Sequence, residues 1–279
     1  MKKLLLLSGL AILLSACSTD SDFNERLHRG TITRIEVEAI GDGNMESYNL
    51  DFEYDGNGRI SLLTWRDESD FEQIAIKYGN GTIAFDNENG THYTAAVNNK
   101  LQVTQMTEAV FGRERTLDFT YSNNRLIATD AAESSSDLTK NRLLWGGQTG
   151  NLEGFKWMWG DDPKEVATRE KSTMLYNTEA ISKINLDINW ALYCTEGLTF
   201  AAGDPLCNYV FGMQGYCGEK NNNFLTYLKE ERSGTGTAAH TTHSYTFKYI
   251  FDAESRPVQI KRTREGASEI TIYTLYYKY

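Results

Sequence analysis

Proline is nearly missing from this chain: three residues among 279, beside 23 glycines. Proline breaks β-ladders except at edges and bulges, so its scarcity suits a strand-rich domain. No long apolar run exists beyond the first fourteen residues. No basic stripe exists either, and the formal net charge is −10. An acidic chain repels phosphate backbones, which disfavours nucleic acid as a partner class, and none is expected. Missing too are a G-x-S-x-G elbow, a phosphate loop, a dinucleotide fingerprint and an H-E-x-x-H pair. The sequence gives no grounds for an enzyme, a cofactor or a metal centre. Aromatics are plentiful, with 16 tyrosines and 12 phenylalanines. Such side chains fit a pleated, half-buried surface.

The amino terminus carries the sharpest signal. Lys2 and Lys3 precede an apolar stretch, Leu4 to Leu14, and then Leu14-Ser15-Ala16-Cys17. Eleven residues fall short of the roughly 20 that span a bilayer as helix, so residues 1–16 read as an export signal. The ending resembles a bacterial lipobox, with Cys17 as the lipidated first residue of the mature protein. Two or more acyl chains give stable membrane anchoring. Residues 17–29 then form a tether, and Ser18-Thr-Asp-Ser-Asp22 resembles the acidic tether of surface-displayed lipoproteins. The expected location is the outer membrane, lipid-anchored and surface-exposed, with the periplasmic face as the alternative. Loss of Lys2 and Lys3 takes the formal charge from −10 to −12.

From residue 30 the chain alternates apolar and polar residues between short Gly/Asn turns. Tyr48 to Tyr54 alternates, Asp55-Gly-Asn-Gly-Arg59 turns, and Ile60 to Trp65 returns. The pattern recurs at Ile74–Tyr78 with Thr82–Phe85, at Tyr93–Val97 with Leu101–Val103, and at Leu117–Tyr121 with Leu126–Ile127. It recurs again at Tyr245–Tyr249 with Val258–Ile260. Tyr54, Tyr78, Val97 and Tyr121 are spaced by 24, 19 and 24 residues. Each interval holds two strands and two turns. Such hairpins bury an apolar face only by curving together over a shared core. The expected fold is all-β: one antiparallel domain over 30–279, a meander strongly curved or closed into a barrel.

Residues 131–230 are less regular. Ala131 to Lys140 is polar and Ser-rich and reads as an exposed loop, while Gly160 to Lys171 is charged and holds one proline. Ile184, Leu186, Ile188, Trp190, Leu192 and Cys194 alternate as one face of a long strand. One short helix is expected near 205–214, where Asp204 caps, Pro205 starts, and Leu206, Tyr209, Val210 and Met213 share a face. Such a helix would separate Cys207 and Cys217 by about 15 Å along its axis. That favours Cys194 with one of them as the disulfide, if one forms.

The Tyr54-Asp-x-x-Gly-Arg-Ile60 element looks like a YD-type repeat. Together with Leu186-Asp-Ile-Asn-Trp190, the Gly212–Gly218 segment, Asn221-Asn-Asn-Phe224 and the aromatic end Ile272–Tyr279, it resembles a family of gut-bacterial lipoproteins. That family is of unknown function and has a porin-like β-barrel fold. The resemblance implies a fold and a location, and transfers no catalytic residue.

Three patterns mimic sites. Asp55-Gly-Asn57-Gly58 resembles part of a calcium loop, but Thr64 stands where the bidentate acid belongs and the flanks are strands; a hairpin turn explains it. His240 and His243 lack a third ligand and read as loop histidines. Asp51, Glu53 and Asp118 alternate with apolar residues and read as solvated. Phe155, Trp157 and Trp159 share one side of a strand. Their rings either fill the core or form a platform for sugar faces. The functional expectation is a non-enzymatic, lipid-anchored binding or scaffolding protein whose partner is a glycan or another envelope protein. A glycan-binding or glycan-processing lipoprotein is the alternative.

Overall fold

Alternation at 48–54 and 60–65 becomes a hairpin in which Leu50 pairs with Trp65 and Phe52 with Leu63. Paired residues share a face, and this face is the buried one. The computed structural model describes residues 30–41, 44–87, 90–110, 112–132, 139–159, 167–181, 184–193, 206–233 and 240–278. The signal at 1–16, Cys17 and the tether at 17–29 lie outside them, as do Cys194, Asp204 and Pro205.

Among the described residues, seventeen strands follow one another. They are β1 (Ile32–Gly41), β2 (Asn44–Tyr54), β3 (Ile60–Arg66), β4 (Phe71–Ala75), β5 (Lys77–Gly79) and β6 (Thr82–Asp86). Next come β7 (His92–Val97), β8 (Val103–Val110), β9 (Arg113–Ser122), β10 (Arg125–Ala131), β11 (Lys140–Trp145) and β12 (Leu152–Trp159). The last five are β13 (Ala167–Ala180), β14 (Asn223–Arg232), β15 (Thr241–Phe251), β16 (Pro257–Arg264) and β17 (Ile270–Tyr277). All pairings between these strands are antiparallel, and, β4 with β5 apart, each strand pairs with its chain neighbours. β17 returns to β1, with Val37 opposite Tyr273 and Ile35 opposite Leu275, so the meander closes. β4 and β5 are one strand bent at Ile76. There β4 pairs with β3 and β5 with β6, while the Ile76 amide still donates to Ser61.

Three turns share one construction. Asp55 Oδ1 accepts from the amides of Asn57 and Arg59, Asn98 Oδ1 from Lys100 and Gln102, and Asp252 Oδ1 from Glu254 and Arg256. The residue before each closing Arg or Gln has positive φ: Gly58 at 73°, Leu101 at 59° and Ser255 at 60°. Asp55 is thus a turn cap. In two turns the arginine binds back to its aspartate and covers a tyrosine on a neighbouring strand. Arg59 lies 4.0 Å from the Tyr78 ring centre, and Arg256 4.7 Å from that of Tyr277.

Between Ala180 and Asn223 the described residues leave the wall and fill one end of the barrel. Alternation there predicts a strand at 184–194. Instead Asn189–Tyr193 forms a single helical turn, α1, with all five residues buried. The reason is burial on every side: inside a barrel, apolar residues need not alternate. Asp187 organises the segment. It accepts from the Asn189 amide and, through Oδ2, from the backbone and side-chain nitrogens of Asn221, both at 2.9 Å. Its own amide donates to Met213. The expected helix near 205–214 is present from Leu206 and widens into a π-helical turn, Asn208–Gly212. There the amides of Met213 and Tyr216 reach back five residues.

This plug docks on the rim where the tight turns gather. Gln214 Oε1 accepts from the Ile60 amide, Tyr216 O from the Val103 amide, and Asn221 Oδ1 from the Leu152 amide. Gly218 forms a bridge to Arg125. Cys207 and Cys217 are buried thiols, and neither joins a disulfide. Cys207 Sγ instead contacts Met106 Sδ at 3.6 Å. Burial, with Asp187 nearby, holds the Cys217 thiol well above its ordinary pKa. It is an inert packing group.

Candidate functional site in the polar half of the barrel

The barrel interior has two halves. Toward the plug it is apolar, lined by Ile32, Ile60, Phe85, Val103, Leu126 and Leu225, all nearly inaccessible. Toward the opposite rim the inner wall of β11 to β17 turns polar, and the strand register shows how. One row runs Leu143, Phe155, Ser172, Glu230 and His243 across five adjacent strands. The next row runs Asn141, Trp157, Glu170, Arg232 and Thr241. The exposure values fix the side: Asn141 1%, Phe155 1%, Ser172 2%, Glu170 5% and Glu230 1%.

Two buried carboxylates thus sit one row apart on β13 and β14. Taking a carboxylate out of water is costly unless it is paired. Arg232 supplies the pairing. Its Nε lies 3.2 Å from Glu170 Oε2 and its Nη2 3.9 Å from Glu230 Oε2. Its side chain keeps 41% exposure at the end of β14. Further round the wall, Arg262 Nη2 donates to Glu269 Oε1 and to Thr271 Oγ1, both at 2.8 Å. Its guanidinium lies 5.0 Å from the Tyr245 ring centre. Arg264 joins Glu269 at 3.4 Å. Opposite this wall, Arg115 and Glu108 form a sheltered pair at 2.9 Å. Glu108 shares its face with buried Tyr93.

Buried atoms on the polar wall without a hydrogen-bond partner among the described residues include Asn141 Oδ1, Ser172 Oγ and Arg262 Nη1. Asn141 does use its amide nitrogen, on Thr129 Oγ1 at 2.7 Å. Native interiors leave few such atoms.

The aromatic residues singled out from sequence lie on this wall. Phe155 is core, between Leu143 and Ser172. Trp157 is half-buried, packs against the core and faces the lumen between Asn141 and Glu170. Trp159 ends β12; its side chain lies outside the described residues. His243 is not on a loop but on β15, edge-on to Tyr245 with ring centres 6.5 Å apart. His240 is exposed. The described residues hold no cluster of three metal-ligating side chains. Sequence reasoning missed Glu170, Glu230, Arg232 and Arg262. Charged residues alternating with apolar ones signal an outward polar face, and here that expectation is inverted.

The outer face carries the ordinary charges. Arg34 pairs with Asp51 at 2.5 Å and Arg142 with Asp130 at 2.5 Å. Lys156 stands opposite Lys171, and Lys248 opposite Lys261. Glu53 and Asp118 are exposed.

No protein-family model matches the chain, and no curated protein does. Solved structures do. A porin-like protein from Bacteroides uniformis aligns with a TM-score of 0.63 at 16% identity, over 88% of this chain and 98% of that one. A porin-like protein from Bacteroides vulgatus aligns at 0.58 and 12% identity, over 89% and 99%. The chain therefore has a porin-like β-barrel fold.

Proposed function

We propose that this chain is a lipid-anchored binding protein of the outer membrane. Its barrel stands in water, and its ligand enters through the polar half of the lumen. The sidedness of the wall supports the reading. A barrel that crosses a bilayer presents an apolar outward band about 25 Å tall. Here the outward positions include Asp51, Lys156, Lys171, Lys248 and Lys261. Each lysine near a bilayer midplane costs about 2–4 kcal/mol, and two of these pairs set like charges directly opposite. Water is the solvent that tolerates them. The plug fills one rim, which argues against a through-channel and for a cup.

The tether geometry agrees. β1 begins at Ile32 on the plugged rim, where the Ile32 amide donates to Asn185 of the plug at 3.0 Å. Residues 17–29, fully extended, reach about 45 Å. A lipid on Cys17 would therefore hold the plugged end toward the membrane and leave the polar mouth facing away. The role is binding, with Trp157 and the paired charges as its surface; no reaction is assigned.

Two measurements test this. Wild-type protein is expected in the membrane fraction and Cys17→Ala in the soluble fraction, equally folded by circular dichroism. Purified barrel added to planar bilayers is expected to give no conductance steps. Membrane retention of Cys17→Ala, or discrete conductance, overturns the proposal.

A further inference from the structure

A binding role leaves the ligand's chemistry open, and the polar wall narrows it. Resting on that role, we infer that the lumen binds a neutral, polyhydroxylated ligand, a segment of uncharged glycan stacked against Trp157.

Charge balance is the first ground. Glu170, Glu230 and Glu269 on this wall are matched by Arg232, Arg262 and Arg264, joined as ion pairs within the wall. An anionic or cationic ligand would have to break pairs that shelter buried charges, at a cost that mutual attraction seldom recovers. A neutral ligand leaves them intact.

The second ground is the mixture of orphan groups. Asn141 Oδ1 only accepts, Arg262 Nη1 only donates, and Ser172 Oγ does either. A hydroxyl group satisfies all three kinds. Water can do so singly, whereas a sugar offers several hydroxyls on a rigid ring. The third ground is the aromatic face. Trp157 stands half-buried between Asn141 and Glu170, held by the core beneath it. A fixed indole beside hydrogen-bonding groups suits the apolar face of a pyranose, whose rim is polar. Large pre-ordered rings supply contact area at little entropic cost.

Isothermal titration and tryptophan fluorescence on the folded wild-type chain test this inference. The probes are neutral oligosaccharides of glucose, xylose, mannose and N-acetylglucosamine, with oligogalacturonate as the acidic counterpart. At least one neutral saccharide is expected to bind, with oligogalacturonate at least tenfold weaker. Trp157→Ala should weaken binding about tenfold or more, as removal of an aromatic anchor does. Ser172→Ala should weaken it severalfold without altering the melting temperature by more than a few degrees. Trp157→Phe keeps a smaller ring, and serves where Trp157→Ala unfolds; it should give an intermediate loss. Lack of binding by every neutral saccharide overturns the inference, as does binding that neither Trp157→Phe nor Ser172→Ala changes. Tight binding of oligogalacturonate alone also overturns it, yet leaves the anchored, water-standing barrel intact, because partition and conductance judge that separately.

Discussion

The Tyr249 hydroxyl donates to the Leu225 carbonyl at 2.6 Å, joining the end of β15 to the start of β14. The same bond recurs around the plugged rim. Tyr54 reaches Ile32, Tyr78 reaches Ile60, Tyr121 reaches Val103, Tyr176 reaches Leu152 and Tyr277 reaches Pro257. Trp145 Nε1 plays the part for Leu126. Each ring closes the mouth of its own hairpin, and several continue into the plug. Tyr176 meets Tyr193 at 2.7 Å, and Tyr54 accepts from Asn185 at 3.1 Å. Burial raises the pKa of Tyr249 well above its ordinary value, so the hydroxyl stays a donor throughout the accessible pH range. Tyr249→Phe leaves a buried carbonyl without this partner and should cost about 1–2 kcal/mol. Tyr276→Phe, whose hydroxyl reaches Glu36 on the exposed outer face, should stay within about 0.5 kcal/mol of wild type. Urea denaturation midpoints at constant slope measure both. Equal midpoints for the two variants would remove the rim's role in stability.

Leu101 occupies the place that Gly58 fills in the Asp55 turn, at φ 59° and 65% exposed. A left-handed conformation costs an ordinary residue roughly 1–2 kcal/mol, against about 0.5–1 for the extra chain freedom of glycine. Leu101→Gly should therefore stabilise the protein by about 0.5–1 kcal/mol. Gly58→Ala should destabilise it by a similar amount, although no atom crowds the added Cβ. Thermal melts of the two variants should move in opposite directions.

Two aspartates should give pH slopes of opposite sign. Asp252 is partly desolvated, which opposes ionisation. Hydrogen bonds from the backbone and side chain of Arg256 outweigh that and lower its pKa below 3.8. Its stabilisation is present above pH 3.8 and is lost as pH falls through the lowered folded value. Asp187 is fully buried; desolvation raises its pKa above 3.8 despite the Asn221 hydrogen bonds. Its contribution is complete below pH 3.8 and is lost as pH rises through the raised folded value. Comparing Asp252→Asn and Asp187→Asn with wild type from pH 3 to 7 isolates each part. The wild-type advantage over Asp252→Asn should grow with pH, and that over Asp187→Asn should shrink. Parallel curves for both variants would contradict the assignment.

Spacing made the barrel legible and burial hid its contents. Tyr54, Tyr78, Val97 and Tyr121 mark successive hairpins because each stands at the same rim, and Val97 is the position where the tyrosine bond is replaced by a backbone bond to Gly81. Alternation at 184–194 misled, since a segment enclosed by a barrel needs apolar residues in every direction. Glu170 and Glu230 were invisible for the converse reason. Period two says that two faces differ, and only the closed topology says which face is inside. Trp157 was legible as an aromatic of one face, but its neighbours Asn141 and Glu170 come from strands 16 and 13 residues away in sequence.

Gly212 ends the π-helical turn against Trp190, and a Cβ there would stand 2.5 Å from Trp190 Cδ2 and 2.6 Å from Cγ. Both sides of the contact are buried: Gly212 within the turn, Trp190 at 2% exposure with its ring edge-on to Tyr193. Nothing flexible can yield, so Gly212→Ala must displace the indole or the turn. Overpacking of this kind costs about 1–3 kcal/mol. The form of the loss separates two pictures of the plug. If plug and wall unfold together, Trp fluorescence and far-ultraviolet circular dichroism should both shift to lower denaturant by the same amount. If the plug detaches first, the fluorescence transition should precede the loss of strand signal. The hydrogen bonds of Gln214, Tyr216 and Asn221 to the first residues of β3, β8 and β12 tie the plug to strands all round the rim. They favour one coincident transition, and a separated pair of transitions would show that the barrel closes without its filling.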